Sequence, residues 1–245
     1  MSALGVLRAA GHSRRGPPHA QNEDAFAIDL HAAYGDGGLF VVCDGVSTAG
    51  AGAAAARLAT EHLQGFKDGR QSRDDLIRLV SEVDWELRGT GRQAACTLAL
   101  AWVTGARATV LTVGDSPVYR CRRGRLKQAG AERTGTFRRL AAYLGMGPKV
   151  ADVIVAEDWD LEAGDALFLL SDGVIEALDE DDLGRLWSRA PEPAAFVRAV
   201  IDEVARIGVD DDATIIAVTR AMDPLARSPA APTEAPDPPR RLRGD

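Results

Sequence analysis

The chain has 245 residues, 46% of them hydrophobic and 27% charged, with a formal net charge of −7 at pH 7. This is ordinary globular usage, and a chain of this length buries about 70–75% of its unfolded surface on folding. The acidic balance argues against a nucleic-acid backbone as partner and suits a protein that binds cations.

The first 16 residues, MSALGVLRAAGHSRRG, hold too short an apolar region for a signal peptide. No run along the chain reaches the roughly 18 apolar residues of a membrane helix, so no membrane partner is expected. Cys43, Cys96 and Cys121 form no CxxC pair, and their odd number suits neither a disulfide framework nor a zinc site. A reducing compartment fits, and a cytoplasmic location is expected.

The stretch NEDAF (22–26) places Glu23 and Asp24 before an apolar run. LFVVC (39–43) has strand length and runs into Asp44-Gly45. Helical patterns follow at 49–63 and 72–89, the second with Leu76, Ile77, Val80, Val83 and Leu87 on one apolar face. Ser47 and Thr48 suit a cap on the first. CTLALAWV (96–103) and ATVLTV (108–113) are strands, and ATVLTV-GDSP-VYRCRR reads as a hairpin turning at Gly114 and Pro117. Gly124 marks another turn. ALFLLS (166–171) runs into Asp172-Gly173, helices are predicted at 180–190 and 193–208, and Asp210-Asp211-Asp212 precedes the strand ATIIAV (213–218). From Asp223 the chain changes character: six of its twelve prolines and four arginines fall in 223–245. That composition predicts a disordered Pro/Arg-rich tail after a domain at 1–222.

The strands are nearly continuous in apolar residues, so both faces should be covered. Grouped strands and grouped helices argue for α+β rather than βαβ alternation. The four tryptophans, Trp85, Trp102, Trp159 and Trp187, read as core residues. His12 and His62 lack ligand spacing. Aspartates recur where strands end, at Asp44, Asp115 and Asp172, and before a strand at 210–212. Each alone is turn chemistry. Together, at one sheet edge, they would repel one another unless a hard divalent cation joined them.

Five motifs in order, NEDA (22–25), VVCDG (41–45), VGDSPVYR (113–120), LFLLSDG (167–173) and DDATIIAV (211–218), resemble the metal-dependent protein phosphatases of type 2C, the PPM family, in a bacterial-like form. The resemblance spans about residues 5–220. It implies a four-layer α-β-β-α sandwich with two packed antiparallel sheets. It implies two Mn²⁺ or Mg²⁺ ions, with room for a third, weaker one. Asp44 would bridge the two metals and the Gly45 carbonyl would bind one. Glu23, Asp172 and Asp211 would complete the set, Asp24 would hold a metal-bound water, and Asp115 would serve the third ion. A water bridging two cations would then attack phosphoserine or phosphothreonine in a phosphoprotein, the product of a bacterial-type Ser/Thr kinase.

The chain departs from the family pattern in four places. His19 stands where the family has a phosphate-clamping arginine, leaving Arg14, Arg15 and His19 as candidate phosphate contacts. Val46 stands where some members have histidine. Asp212 follows Asp211 where asparagine is usual, and Asp210 is an alternative ligand. The segment at 133–147, with Arg133, Arg138 and Arg139, is shorter than the usual flap. The alternatives are a phosphoprotein-binding pseudophosphatase and a small-phosphoester hydrolase on the same fold.

Overall fold

The structure, a computed structural model, describes residues 6–31, 37–46, 51–66, 72–90, 94–130 and 142–220. The expected tail at 223–245, the cap residues Ser47 and Thr48, and Arg133, Arg138 and Arg139 lie outside the described residues. In chain order the elements are β1 (Leu7–Arg14), β2 (Ala25–His31), β3 (Gly37–Cys43), α1 (Gly52–Leu63), α2 (Arg73–Gly89), β4 (Leu98–Thr104), β5 (Arg107–Val113), β6 (Val118–Arg122), β7 (Arg125–Gln128), α3 (Val150–Val153), β8 (Val155–Asp160), β9 (Ala166–Leu170), α4 (Asp172–Ala177), α5 (Glu180–Arg189), α6 (Pro193–Ile207) and β10 (Ala213–Arg220).

The strands form two five-stranded antiparallel sheets, ordered β1-β10-β9-β6-β7 and β2-β3-β4-β5-β8. Side-chain alternation along the central strands divides the interior into three apolar layers. Phe40, Val42, Leu167, Leu169, Ile216 and Val218 meet between the sheets. Leu39, Val41, Cys43, Leu98 and Leu100 face outward, under Leu76, Val80, Val83 and Leu87 of α2. Phe168, Leu170, Ile215 and Ala217 face the other way, under Trp187 of α5 and Phe196 and Val200 of α6. Each central strand is thus apolar on both faces. This is the α+β, four-layer arrangement expected from the sequence.

Local chemistry sets the helix ends. Ser72 accepts a hydrogen bond from the Asp75 amide, and the Asp75 carboxylate accepts one from the Ser72 amide, a capping box that starts α2. Asp179 and Asp182 do the same for α5. Pro193 opens α6 and Gly208, at φ 83°, closes it.

Two expectations need correction. The GDSP segment is not a hairpin turn. β5 pairs with β4 and β8 in one sheet, whereas β6 pairs with β7 and β9 in the other. The chain crosses between sheets at Gly114–Pro117, which carries Asp115 to the edge of the sandwich. The hairpin in this region is β6–β7, closed by Arg123 and Gly124 at φ 53° and 77°, the positive values a two-residue turn demands.

Trp85 is not a core residue. It is 76% exposed on the outer face of α2, while Trp159 and Trp187 are buried. Trp102 is partly buried and packs edge-on against Phe66 at 5.1 Å. Replacing Phe168, which is buried between Trp187 and Phe196, with alanine is expected to cost about 3–5 kcal/mol in urea unfolding. Trp85→Ala is expected to change stability by less than about 0.5 kcal/mol.

Candidate active site

The strand registers deliver the acidic residues to one edge. Ala25 pairs with Cys43, so the residues just before β2, Glu23 and Asp24, lie beside those just after β3, Asp44 and Gly45. The Gly45 amide donates to the Glu23 carbonyl at 3.2 Å. In the other sheet Ile215 pairs with Leu170, which sets Asp211 before β10 beside Asp172 after β9. A cleft of about 800 Å³ opens there, lined by Glu23, Asp44, Gly45, Asp115, Asp172, Asp211, Asp212 and His19, with Val46, Thr97, Ala142, Tyr143 and Gly145 among its walls.

Two polar links hold this edge together across the sheets. Ser171 donates from Oγ to Asp24 Oδ2 at 2.8 Å and accepts from the Thr214 amide at 2.9 Å. Asp212, buried, accepts from the Gly16 amide on Oδ1 and from the Glu23 amide on Oδ2, each at 2.7 Å. Two glycines allow the backbones to meet. A Cβ at Gly45 would collide with the carbonyl of Gly52, and one at Gly173 with the carbonyl of Asp212.

The electrostatics follow from crowding. Burial pushes Asp44 up to about 11, helped by the charges of Asp24 and Asp172. Burial also pushes Asp24 up to about 7, against the hydroxyls of Thr214 and Ser171 that favour its ionised form. Asp172 is raised by burial, although its hydrogen bond with Asp44 opposes the rise, and Asp211 and Asp115 add to it. Carboxylates this close cannot all ionise without a compensating cation.

The residues present fit a divalent metal. Asp24 Oδ1 and Asp172 Oδ1 are buried with no hydrogen-bond partner among the described residues. The donors are oxygens, the choice of a hard cation. Carboxylate oxygens of Asp172, Glu176 and Asp211 lie within 4.8 Å of one another. Glu176 was not among the residues singled out in the sequence. It follows Asp172 by four positions on α4, and the i,i+4 spacing brings both to one helix face. Recognising that the SDG motif starts a helix would have found it.

The three candidate phosphate contacts separate. His19 lines the cleft, with Nδ1 3.1 Å from Asp212 Oδ2 and Nε2 3.9 Å from Asp211 Oδ1. Its pKa is raised, first by the close approach of the Asp212 carboxylate. Arg14 donates to the Val209 carbonyl and Arg15 to the His19 carbonyl, and neither lines the cleft. Among the described lining residues, His19 is the sole basic side chain.

A raised aspartate means that the folded chain holds a proton the unfolded chain has released, so stability falls as pH rises through that interval. With metal chelated, the Tm difference between wild type and Asp24→Asn is therefore expected to shift against wild type from about pH 4 to about pH 7. Mn²⁺ should remove the effect. A difference that stays constant or favours wild type with rising pH in chelator would contradict this account.

Residues 35–221 match the family model described as Stage II sporulation protein E (SpoIIE). No curated protein matches the chain. Among solved structures, PppA, a regulatory component of the type VI secretion system in Pseudomonas aeruginosa, is 23% identical with a TM-score of 0.72, over 88% of this chain and 98% of that one. The Mycobacterium tuberculosis serine/threonine phosphatase PstP/Ppp is 22% identical with a TM-score of 0.72, over 88% and 99%. The PPM Ser-Thr phosphatase MsPP from Mycobacterium smegmatis is 24% identical with a TM-score of 0.71, over 88% and 99%. The fold is the one these phosphatases share, and because the family model covers most of the sequence, including Asp44, Asp115, Asp172 and Asp211, the chain belongs to the SpoIIE family.

Proposed function

We propose that the protein hydrolyses phosphoserine and phosphothreonine in proteins with the help of two bound divalent cations, Mn²⁺ or Mg²⁺. One observation carries this reading. Carboxylates from both sheets converge on a cleft whose sole described basic side chain, His19, is already engaged by Asp211 and Asp212. A phosphate dianion would be repelled from such a cleft unless cations occupied it.

Asp44 would hold the cations together with the Gly45 carbonyl, Glu23, Asp172 and Asp211, which line the same cleft. Asp115, whose charge acts on Asp172, and Glu176 suit a third, weaker ion. When bound, the cations would supply Lewis acidity and lower the pKa of a coordinated water. Asp24, fixed through Oδ2 by Ser171 and unpaired at Oδ1, can accept a hydrogen bond from the attacking water and orient it. Thr97 carries no charge, but its hydroxyl accepts a hydrogen bond from the Asp44 amide at 3.1 Å and so fixes the loop that carries Asp44. Phosphate contact falls to His19, the one candidate of the three that lines the cleft.

We assign the phosphatase domain to residues 1–222. The substrate class is a phosphoprotein made by a bacterial-type Ser/Thr kinase. Among the described residues no helix is long and apolar enough to cross a membrane, and three buried free cysteines suit the reducing cytoplasm.

Hydrolysis of p-nitrophenyl phosphate and of a phosphothreonine peptide should require Mn²⁺ and stop in EDTA. Asp172→Ala should lower turnover by at least about 100-fold. Absence of turnover in metal-bound protein would favour a pseudophosphatase, and turnover of the small ester alone a small-phosphoester hydrolase. In the same assay His19→Ala should raise the peptide KM by roughly 3- to 10-fold, while Arg14→Ala and Arg15→Ala stay within about two-fold of wild type.

A further inference from the structure

Asp84 lies in the middle of α2, is 2% exposed, and has no ion-pair partner among the described residues. A buried acid without a cation is costly and needs a compensating set of donors. Its donors come from a distant part of the chain. Oδ1 accepts from the Gly145 amide at 2.7 Å, and Oδ2 accepts from the Gly147 amide at 3.1 Å. Oδ1 also lies 3.3 Å from the Gly147 amide.

Gly145 lies in the wall of the cleft, which Ala142 and Tyr143 also line, and Gly147 follows two residues on. Gly145 and Gly147 have φ of 101° and 92°, so the wall takes a backbone path that no regular element holds. Between Tyr143 and Gly145, Leu144 exchanges hydrogen bonds with Cys96 in both directions, at 2.8 and 3.3 Å. Cys96 is bridged on its other side to Gly45, and the Thr97 amide donates to the Asp44 carbonyl at 2.8 Å. The Asp84 carboxylate is therefore the outer anchor of a short ladder. It runs from α2 through the cleft wall to the loop carrying Asp44.

We propose that Asp84 is a positioning residue for substrate: it holds the Ala142–Gly147 wall, with Tyr143 exposed at its surface, at the distance from the carboxylate cluster that a phosphopeptide needs. The proposal rests on the phosphatase reading above and adds a peptide-contacting wall to it. A small aryl phosphate reaches the acidic cluster without using that wall. A peptide must lie along it. Loss of the anchor then acts on peptide engagement more than on the chemical step, and displacement of about 1 Å in such a wall is enough to be felt in kinetics.

The test compares Asp84→Ala, Asp84→Asn and Val80→Ala in the full chain with Mn²⁺. Val80 is a buried core residue of the same helix and serves as a control for lost stability. Asp84→Ala is expected to raise the phosphothreonine-peptide KM by about ten-fold or more, with kcat for p-nitrophenyl phosphate changed by less than about three-fold. Asp84→Asn retains one acceptor oxygen and should recover part of the loss. Val80→Ala should lower Tm and leave the peptide KM unchanged. Peptide affinity measured by calorimetry should fall in step with the KM effect, and this readout needs no turnover. An inactive wild type would be a failure of the phosphatase reading, and the calorimetric affinities would still decide the role of Asp84. Equal peptide affinity in wild type and Asp84→Ala, or parallel losses on both substrates that Val80→Ala reproduces, would overturn the proposal.

Discussion

Carboxylates do not gather at one edge of a protein unless the backbones beneath them are held against their repulsion. At an effective dielectric of about 20, two such charges 4 Å apart repel by about 4 kcal/mol. Here the opposing force is distributed. Three apolar layers fix the strands, and the strands end where the acids begin. The final few ångströms depend on Asp212, whose two oxygens bind the amides of Gly16 and Glu23, and on Ser171, which joins Asp24 of one sheet to Thr214 of the other. Without these links the sandwich would still form, but its acidic edge would be free to spread.

Asp211 and Asp212 show how neighbouring residues of one type divide the work. Asp212 is almost fully buried and spends both oxygens on backbone amides, which leaves little capacity for a metal. Asp211 is partly exposed, accepts the Asp212 amide on Oδ1 alone at 2.8 Å, and lies beside Asp172 and Glu176. The family resemblance points to Asp211 as the ligand, with Asp210 as the alternative. Asp211 and Asp212 differ in hydrogen-bond accounting: Asp212 accepts a backbone amide on each oxygen, Asp211 on one.

The architecture was legible because its central strands carry apolar residues on both faces. Leu39, Val41 and Cys43 turn one way, Phe40 and Val42 the other, and a continuous run such as LFVVC reports that directly. The ligand candidates were legible because strand ends are marked by Asp-Gly and Asp-Ser pairs. Other features left weaker traces. β1 is an edge strand of small and polar residues with no apolar period, so LRAAGHSR does not announce itself. The GDSP segment has the chemistry of a tight turn in either topology, and only the pairing of β6 with β9 reveals a crossover. Trp85 fits the hydrophobic profile of a helix, yet its position on the helical wheel is outward. Asp84 is the converse, a charged residue on the inward side, intelligible only once the amides of residues 145 and 147 are seen beside it.

The pairing of the first and last strands has a further consequence. β1 and β10 run antiparallel in full register, with Arg14 opposite Ala213 near the cleft and Leu7 opposite Arg220 at the far end. The polypeptide therefore enters and leaves the sandwich at a single point, on the pole opposite the acidic edge. Modules spliced before β1 or after β10 would emerge side by side, leaving the cleft clear. Any displacement imposed at that pole must travel the length of the β1–β10 ribbon before it reaches Asp211.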